Sequence, residues 1–118
     1  MAGLDEVVAE REYVLHTGAG VERVVVQLGR PERESRDGPW GCAVRVSAPT
    51  GVVERVAYGP DALEALLLAL QMARVEVLFT LPRVTGGHLT WLGQDELRLP
   101  DLYPPPPPGR RGLPNDWA

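Results

Sequence analysis

The sequence predicts an α+β fold in which two β-hairpins form a four-stranded antiparallel sheet and one long helix packs on one face. Two pairs of valine-rich segments, each joined by a glycine-containing turn, predict the hairpins. A long run of helix-forming residues follows them. A proline-rich stretch comes last, so we expect one domain over residues 1–99, with a short C-terminal extension that leads into a tail over residues 100–118.

The first predicted hairpin pairs residues 7–16 with residues 21–28 around a Thr-Gly-Ala-Gly turn that can adopt positive φ. Val24, Val26 and Leu28 share one face of the second strand, an alternation typical of a half-buried sheet. These three side chains are therefore expected in the core.

The second predicted hairpin pairs residues 40–48 with residues 52–58, after a charged surface loop over residues 29–39. The facing of its second strand is ambiguous, because Val56 and Tyr58 share a face with Glu54. In its first strand, the side chains expected to face inward are Trp40, Cys42, Val44, Val46 and Ala48.

The helix is predicted over residues 60–79, with Pro60 at its first position and Pro82 ending it. Residues 88–92 are expected to add a short edge strand. A helical wheel gives the face that covers the sheet as Ala62, Leu66, Ala69, Leu70, Ala73 and Val77.

The opposite face of the helix is not purely polar, since Leu67, Leu68 and Val75 lie there among Glu64, Gln71 and Arg74. Three alternatives remain for what covers these apolar side chains: the chain's own residues 89–102, a second copy of the chain, or a different protein.

Composition favours some classes of protein and gives no support to others. An apolar fraction of 44% with a net charge of −4 is typical of a globular protein and gives no support to nucleic-acid binding. All 12 basic residues are arginine, scattered along the chain, as expected of a GC-rich bacterial genome. No secretory signal or membrane span is predicted, and one cysteine fits a reducing compartment, so we expect a cytoplasmic protein.

Candidate nucleophiles are few and poorly placed. Ser35 falls in the charged loop and Ser47 on the outer side of a strand, with no glycine elbow at either. Cys42 falls among inward-facing residues and is expected to be a small buried side chain. The sequence therefore predicts no catalytic residue.

Metal and acid–base chemistry have equally little support. His16 and His88 lack metal-motif spacing, although with Asp95 and Glu96 they offer one conceivable ligand set. Glu10 and Glu12 share one strand face, and Asp101 lies near other acids in the C-terminal region. We expect all of these carboxylates to be solvated. No glycine pattern precedes a helix as a phosphate loop does, so no cofactor or metal is predicted.

The tail carries a polyproline run in which Pro105, Pro108 and Arg110 have the spacing that aromatic grooves recognise. A stiff spacer is the simpler interpretation. Trp117 is unusual in a spacer, and we expect it to contact the domain or a partner.

Two stretches of the chain resemble a known family. They are Trp40-Gly41-Cys42 with its hairpin, and Gly-Pro-Asp-Ala-Leu-Glu-Ala-Leu at residues 59–66. The chain resembles, over residues 10–81, a family of small bacterial proteins known only as a domain of unknown function. In that family a Trp-x-Cys strand precedes a Gly-x-Asp-Ala-Leu-x-Ala-Leu helix. This chain differs by Glu64, where Gln is often seen, and by its tail. The resemblance implies the fold but no activity.

We therefore expect a non-catalytic protein-binding domain, and not an enzyme. Small acidic α+β proteins also resemble immunity proteins, so a toxin encoded by a neighbouring gene is one concrete partner. A homo-oligomeric structural or accessory subunit, a homodimer in the simplest case, is the alternative, and a small enzyme with an unrecognised site comes third. The predicted partner-binding residues are Leu67, Leu68, Gln71, Val75, Trp91, Arg110 and Trp117.

Overall fold

A computed structural model describes residue 4 and residues 6–103 of the chain, and it has the predicted α+β class. The strands of this described part are β1 (Val7–Thr17), β2 (Gly20–Gly29), β3 (Glu32–Arg33), β4 (Trp40–Ala48), β5 (Gly51–Gly59) and β6 (His88–Thr90). The helical residues between β5 and β6 form α1 (Ala62–Val75), a π-helical turn (Glu76–Thr80) and α2 (Leu81–Thr85).

The strands form one antiparallel sheet in which β5, β4, β2, β1 and β6 lie side by side in that order. Both predicted hairpins, β1 with β2 and β4 with β5, are confirmed. β3 pairs with Trp40 and Gly41 of β4, on the side of β4 that β2 also uses. It therefore extends the line of β2 beyond Arg30 and Pro31.

The prediction of four strands is wrong, because two short strands join the hairpins. One of them, β6 at His88–Thr90, is the short edge strand expected within residues 88–92. β6 pairs with β1 over three residue pairs, and β3 lies inside the stretch that was predicted to be a loop. Strands of two or three residues have too few positions to show an alternation. They form because β1 and β4 already offer rows of backbone N–H and C=O groups to pair with.

The core lies between the helix and one face of the sheet, and the predicted alternation of β2 and β4 is confirmed there, although Trp40 and Ala48 at the ends of β4 are only partly buried. In β5 the pairing of Ala57 with Cys42 turns Ala57 inward and Tyr58 outward, which resolves the ambiguous facing. The core side chains of the sheet, each at most 6% exposed, are Tyr13, Leu15, Val24, Val26, Leu28, Cys42, Val44, Val46, Ala57 and Leu89.

The helix packs over β4 and β5 through a ridge of every fourth residue. Ala69, Ala73 and Val77 are buried as predicted, whereas Ala62, Leu66 and Leu70 are only partly buried, so the inward face is rotated slightly from its expected position. Gly59 lets the first turn of α1 lie close against β5, because a Cβ there would come within 2.8 Å of the Ala65 nitrogen. The buried ridge consists of Ala65, Ala69, Ala73, Val77 and Leu81.

The helix does not end at Pro82, which corrects the sequence prediction. It continues to Thr85 and ends at Gly86, whose φ of 70° is left-handed and whose N–H donates to the Pro82 carbonyl oxygen at 2.9 Å. The preceding π-helical turn makes this continuation tolerable. Pro82 then lies in the first turn of α2, where a proline is readily accommodated.

Candidate functional site

The side of the helix opposite the buried ridge carries a second ridge, also with a spacing of four residues. It is offset from the buried ridge by two residues, or about 200° around the helix axis. Asp61 fixes where the helix begins, because its side chain accepts a hydrogen bond of 2.8 Å from the backbone N–H of Glu64. We call this set the outward ridge; it consists of Leu63, Leu67, Gln71, Val75 and Phe79.

Four of the five side chains of the outward ridge are apolar, and three of them are substantially exposed: Leu63 at 63%, Val75 at 44% and Phe79 at 55%. Leu67 is partly buried. Leu68, which was predicted with this group, lies off the ridge and packs against the core. The exposed apolar side chains therefore lie toward the two ends of the ridge, with Leu63 at one end and Val75 and Phe79 at the other.

Sequence reasoning placed Leu67, Gln71 and Val75 on this surface but missed Leu63 and Phe79, which are more exposed than Val75. The signal was present, because the five residues follow one another at intervals of four.

The chain's own residues 97–103 run beside α1 in the opposite direction. Arg74 Nε donates to the Leu99 carbonyl oxygen at 3.1 Å. Gln71 accepts a hydrogen bond of 3.2 Å from the Leu102 N–H and donates one of 3.1 Å to Asp101. One flank of the helix is therefore covered by the C-terminal segment, while Leu63, Val75 and Phe79 stay exposed.

On its other side the C-terminal segment is bound to β1. Tyr13 Oη donates to the Leu97 carbonyl oxygen at 2.8 Å, and Arg11 Nη1 donates to the carbonyls of Leu97 and Arg98 at 3.2 and 2.9 Å. The Arg11 guanidinium also lies 4.2 Å from the centre of the Trp91 ring. Residues 97–99 thus bridge β1 and the helix.

Trp91 belongs to a tight turn and is only partly buried. Backbone hydrogen bonds of 2.8 and 3.0 Å join it to Gln94 in both directions, and Leu92 takes a left-handed φ of 51° between them. Its role in partner binding stays a prediction. Arg110 and Trp117, the other predicted contacts beyond the helix, lie outside the described residues, as do Pro105 and Pro108.

A cleft of about 610 Å³ lies beside the C-terminal half of the helix. Arg74 joins it to the outward ridge, since its guanidinium carbon lies 5.7 Å from the centre of the Phe79 ring. The cleft is lined by Arg74, Leu78 and residues 95–100. The exposed phenyl ring therefore adjoins a recess with both apolar and charged walls.

The three side chains considered as nucleophiles lie in different surroundings. Cys42 is buried, burial raises the pKa of its thiol, and its Sγ donates to the Gly29 carbonyl oxygen at 3.4 Å. Ser35 lies in the exposed loop, and Ser47 is in β4, on the outer face of the sheet beside Val25 and Val52.

The two histidines, separated by 72 positions in the sequence, are brought together by the pairing of β6 with β1. Their rings stack with centroids 4.9 Å apart and planes 15° apart, and His16 Nε2 lies 2.9 Å from Thr90 Oγ1. Asp95 and Glu96 do not complete a ligand set with them. Within residues 4 and 6–103, no group of three or more His, Cys, Asp or Glu side chains could hold a metal ion.

The carboxylates considered for acid–base chemistry take part in surface contacts. Glu10 Oε1 accepts a hydrogen bond of 2.8 Å from Gln27, and Glu12 forms an ion pair of 3.0 Å with Arg23. Asp101 lies 4.0 Å from Arg74. Each of these three acids is therefore paired with a neighbouring side chain at the surface.

In the described part of the chain, no helix has the length and apolar character needed to cross a membrane. The fold places the chain in a class of small α+β domains, in which one helical segment covers a single antiparallel sheet. Comparison with protein families then gives a family: the chain belongs to DUF6968, a domain of unknown function, whose profile matches residues 9–101. No curated protein and no solved structure matched the chain.

Proposed function

We propose that this chain is a non-catalytic protein-binding domain whose outward ridge docks a second, different protein. The observation that supports this proposal is the exposure of Leu63, Val75 and Phe79 along one line of the helix. Apolar patches of this kind on a small domain mark protein interfaces. Covering a half-exposed side chain of this size would contribute on the order of 1 kcal/mol to binding.

Charge favours a basic partner. Between residues 60 and 103, which include the helix and the C-terminal segment, there are six acidic and three basic residues, giving −3 of the chain's net −4. An acidic surround steers a basic protein toward the apolar ridge and speeds association. The cleft beside Phe79, with Asp95 and Glu96 in its wall, would receive a side chain of that partner.

The immunity-type version of this proposal makes the basic partner a toxin encoded by a neighbouring gene, whose active site the acidic surface covers. It predicts a one-to-one complex between the two purified gene products. It also predicts that this chain suppresses the toxin's activity in proportion to complex formation, without any turnover of its own.

Calorimetric titration of the wild-type chain and its variants with the neighbour-encoded protein tests both the partner and the surface. Leu63→Asp and Phe79→Asp should each raise the dissociation constant at least tenfold, since a charge at the centre of an interface costs more than 1.4 kcal/mol. Val21→Asp is the matched control, because Val21 is 65% exposed and lies on the sheet. It should bind like the wild type.

Two results would count against the proposal. Equal affinity of the ridge variants and the control would exclude the outward ridge as the docking surface. A ridge-dependent homodimer of the purified chain, seen by light scattering and abolished by Leu63→Asp, would favour the homo-oligomeric alternative. If the protein encoded by the neighbouring gene does not bind this chain, the immunity-type version of the proposal is wrong.

A further inference from the structure

The β5 strand forms an edge of the sheet. Its nine residues pair with β4 along their whole length, and no strand among residues 4 and 6–103 pairs with the other side. In a strand, every second residue directs its N–H and C=O groups to one side. Four residues of β5 therefore offer backbone hydrogen-bonding groups along an exposed edge.

Several devices that usually block an exposed edge are missing from β5. The strand contains neither lysine nor internal proline, and its one charge on the inward-facing side is Arg55, which alternates with Val53 and Ala57 and is exposed. The Glu54 carboxylate bonds to Arg45 of β4 at 2.9 Å, so this charge is held against the sheet. Val52 and Tyr58 on the same outer face are 63% and 52% exposed. On the opposite side of the sheet, β6 has only three residues and pairs with β1 only at Val14, Leu15 and His16.

We infer that β5 binds β5 of a second copy of the chain, antiparallel and around a two-fold axis, so that the two sheets become one. This inference uses a surface remote from the outward ridge and does not depend on the proposed function. A two-fold contact requires the strand to complement itself, which can be examined register by register.

In such a pair, residues that lie opposite each other have their side chains on the same face of the joined sheet. Each allowed register is therefore centred on one residue, which faces the same residue of the second copy. Centring on Glu54 places two carboxylates opposite each other, and centring on Arg55 does the same with two guanidinium groups. Like charges in these positions are destabilising. Both registers are therefore disfavoured.

The register centred on Val56 avoids these like-charge pairs, and it is the longest register that does so. Val56 then faces the partner's Val56, Glu54 faces the partner's Tyr58 at two symmetric positions, and Arg55 faces the partner's Ala57. Residues 53–59 of each copy take part. The half-buried Val56 side chain would lose its remaining exposure, and the Tyr58 hydroxyl could donate to a carboxylate.

A contact of seven residues from each copy is smaller than a standard protein interface, so we expect a dimer with a micromolar dissociation constant. Sedimentation of the full chain over a range of concentrations up to about 1 mM should show a monomer–dimer equilibrium. A chain that stays monomeric over this range would overturn the inference.

Charge variants at the centre of the register test the strand itself. Val56→Asp and Val56→Arg should each weaken self-association at least tenfold, because each places like charges face to face. An equimolar mixture of the two variants should form a heterodimer, since aspartate then faces arginine. Val21→Asp, exposed on β2, should dimerise like the wild type.

Either of two results would overturn the β5 contact: single variants that dimerise like the wild type, or folded variants whose mixture remains monomeric. If the substitutions prevent folding, hydrogen exchange of the wild type decides the question. Amides of residues 53–59 should exchange more slowly as the protein concentration rises, and exchange independent of concentration would exclude the contact.

Discussion

The hydroxyl of Tyr13 in β1 donates a buried hydrogen bond of 2.8 Å to the carbonyl oxygen of Leu97, across 84 positions of sequence. Tyr13 is fully buried and Leu97 nearly so. This contact, together with the Arg11 guanidinium, holds the C-terminal segment in the groove beside the helix. The segment, in turn, limits how much of the helix remains exposed.

Tyr13→Phe should lower the free energy of unfolding by about 1–2 kcal/mol, because it leaves the Leu97 carbonyl with the Arg11 contact alone. Urea denaturation followed by circular dichroism measures this loss. Tyr103→Phe is the control, since Tyr103 and its partner Glu64 lie at the surface, where water can replace the bond. An equal loss in both variants would contradict the role assigned to Tyr13.

Gly59→Ala should destabilise the domain by about 1–3 kcal/mol, because the added Cβ would meet the Ala65 nitrogen at 2.8 Å and push α1 off β5. Gly18→Ala is the control: no atom lies within 4 Å of its added Cβ. Thermal unfolding of the two variants compares them. A Gly59→Ala protein as stable as Gly18→Ala would show that the helix does not depend on this close approach.

The stacking of His16 and His88 should stabilise the attachment of β6 by roughly 0.2–1 kcal/mol. A double-mutant cycle with His16→Ala and His88→Ala isolates this coupling energy from the effects of each single substitution. Strictly additive single effects would mean that the two rings stack without contributing to stability.

Burial raises the pKa of the Cys42 thiol, and this makes stability depend on alkaline pH. Below pH 9.0, the ordinary pKa of the group, the thiol is neutral in both states and its contribution is complete. Above that pH the unfolded chain ionises first, so stability falls as the pH rises toward the higher folded-state pKa. The wild type should therefore lose more stability than Cys42→Ala between about pH 8.5 and 10.5.

Alkylation with iodoacetamide gives an independent check on the same thiol. The folded protein should react far more slowly than the urea-unfolded chain, because the Cys42 side chain is fully buried. Rapid modification of the folded protein would contradict the burial and the pKa direction together.

The hairpins could be predicted because their signals are local. Alternating valines and a glycine at each turn lie within one short stretch of chain, and Val24, Val26 and Leu28 are buried as that pattern indicates. The position of β6 was only partly predictable. Nothing near His88 in the sequence indicates that it will pair with His16.

Two features were only partly predictable. The chain's own residues 89–102 were one of three covers expected for the helix, and Leu97 is indeed buried while Leu99 packs against the core. The path of the segment was not predictable, because it is bound through backbone carbonyls, as at Leu97 and Leu99. The helix passed Pro82 because a π-helical turn precedes it, and that turn depends on packing more than on composition.

The candidate surface was predictable in outline, and its two most exposed members were not found. An unusually apolar outer side of the helix pointed to Leu67 and Val75, but the exact facing of a helix depends on where its first turn meets the sheet. Here the first turn lies close against β5 at Gly59 and Ala65. Leu63 and Phe79 consequently join the exposed line.

Site-specific photocrosslinking in the native host tests the protein-binding role of the outward ridge most directly. Benzoylphenylalanine placed at Phe79 or Leu63 should give one discrete crosslinked product containing a different, basic protein. The same probe at Val21, which is equally exposed, should give none. Equal crosslinking from all three positions, or none from the helix, would contradict the claim that this ridge is the docking surface.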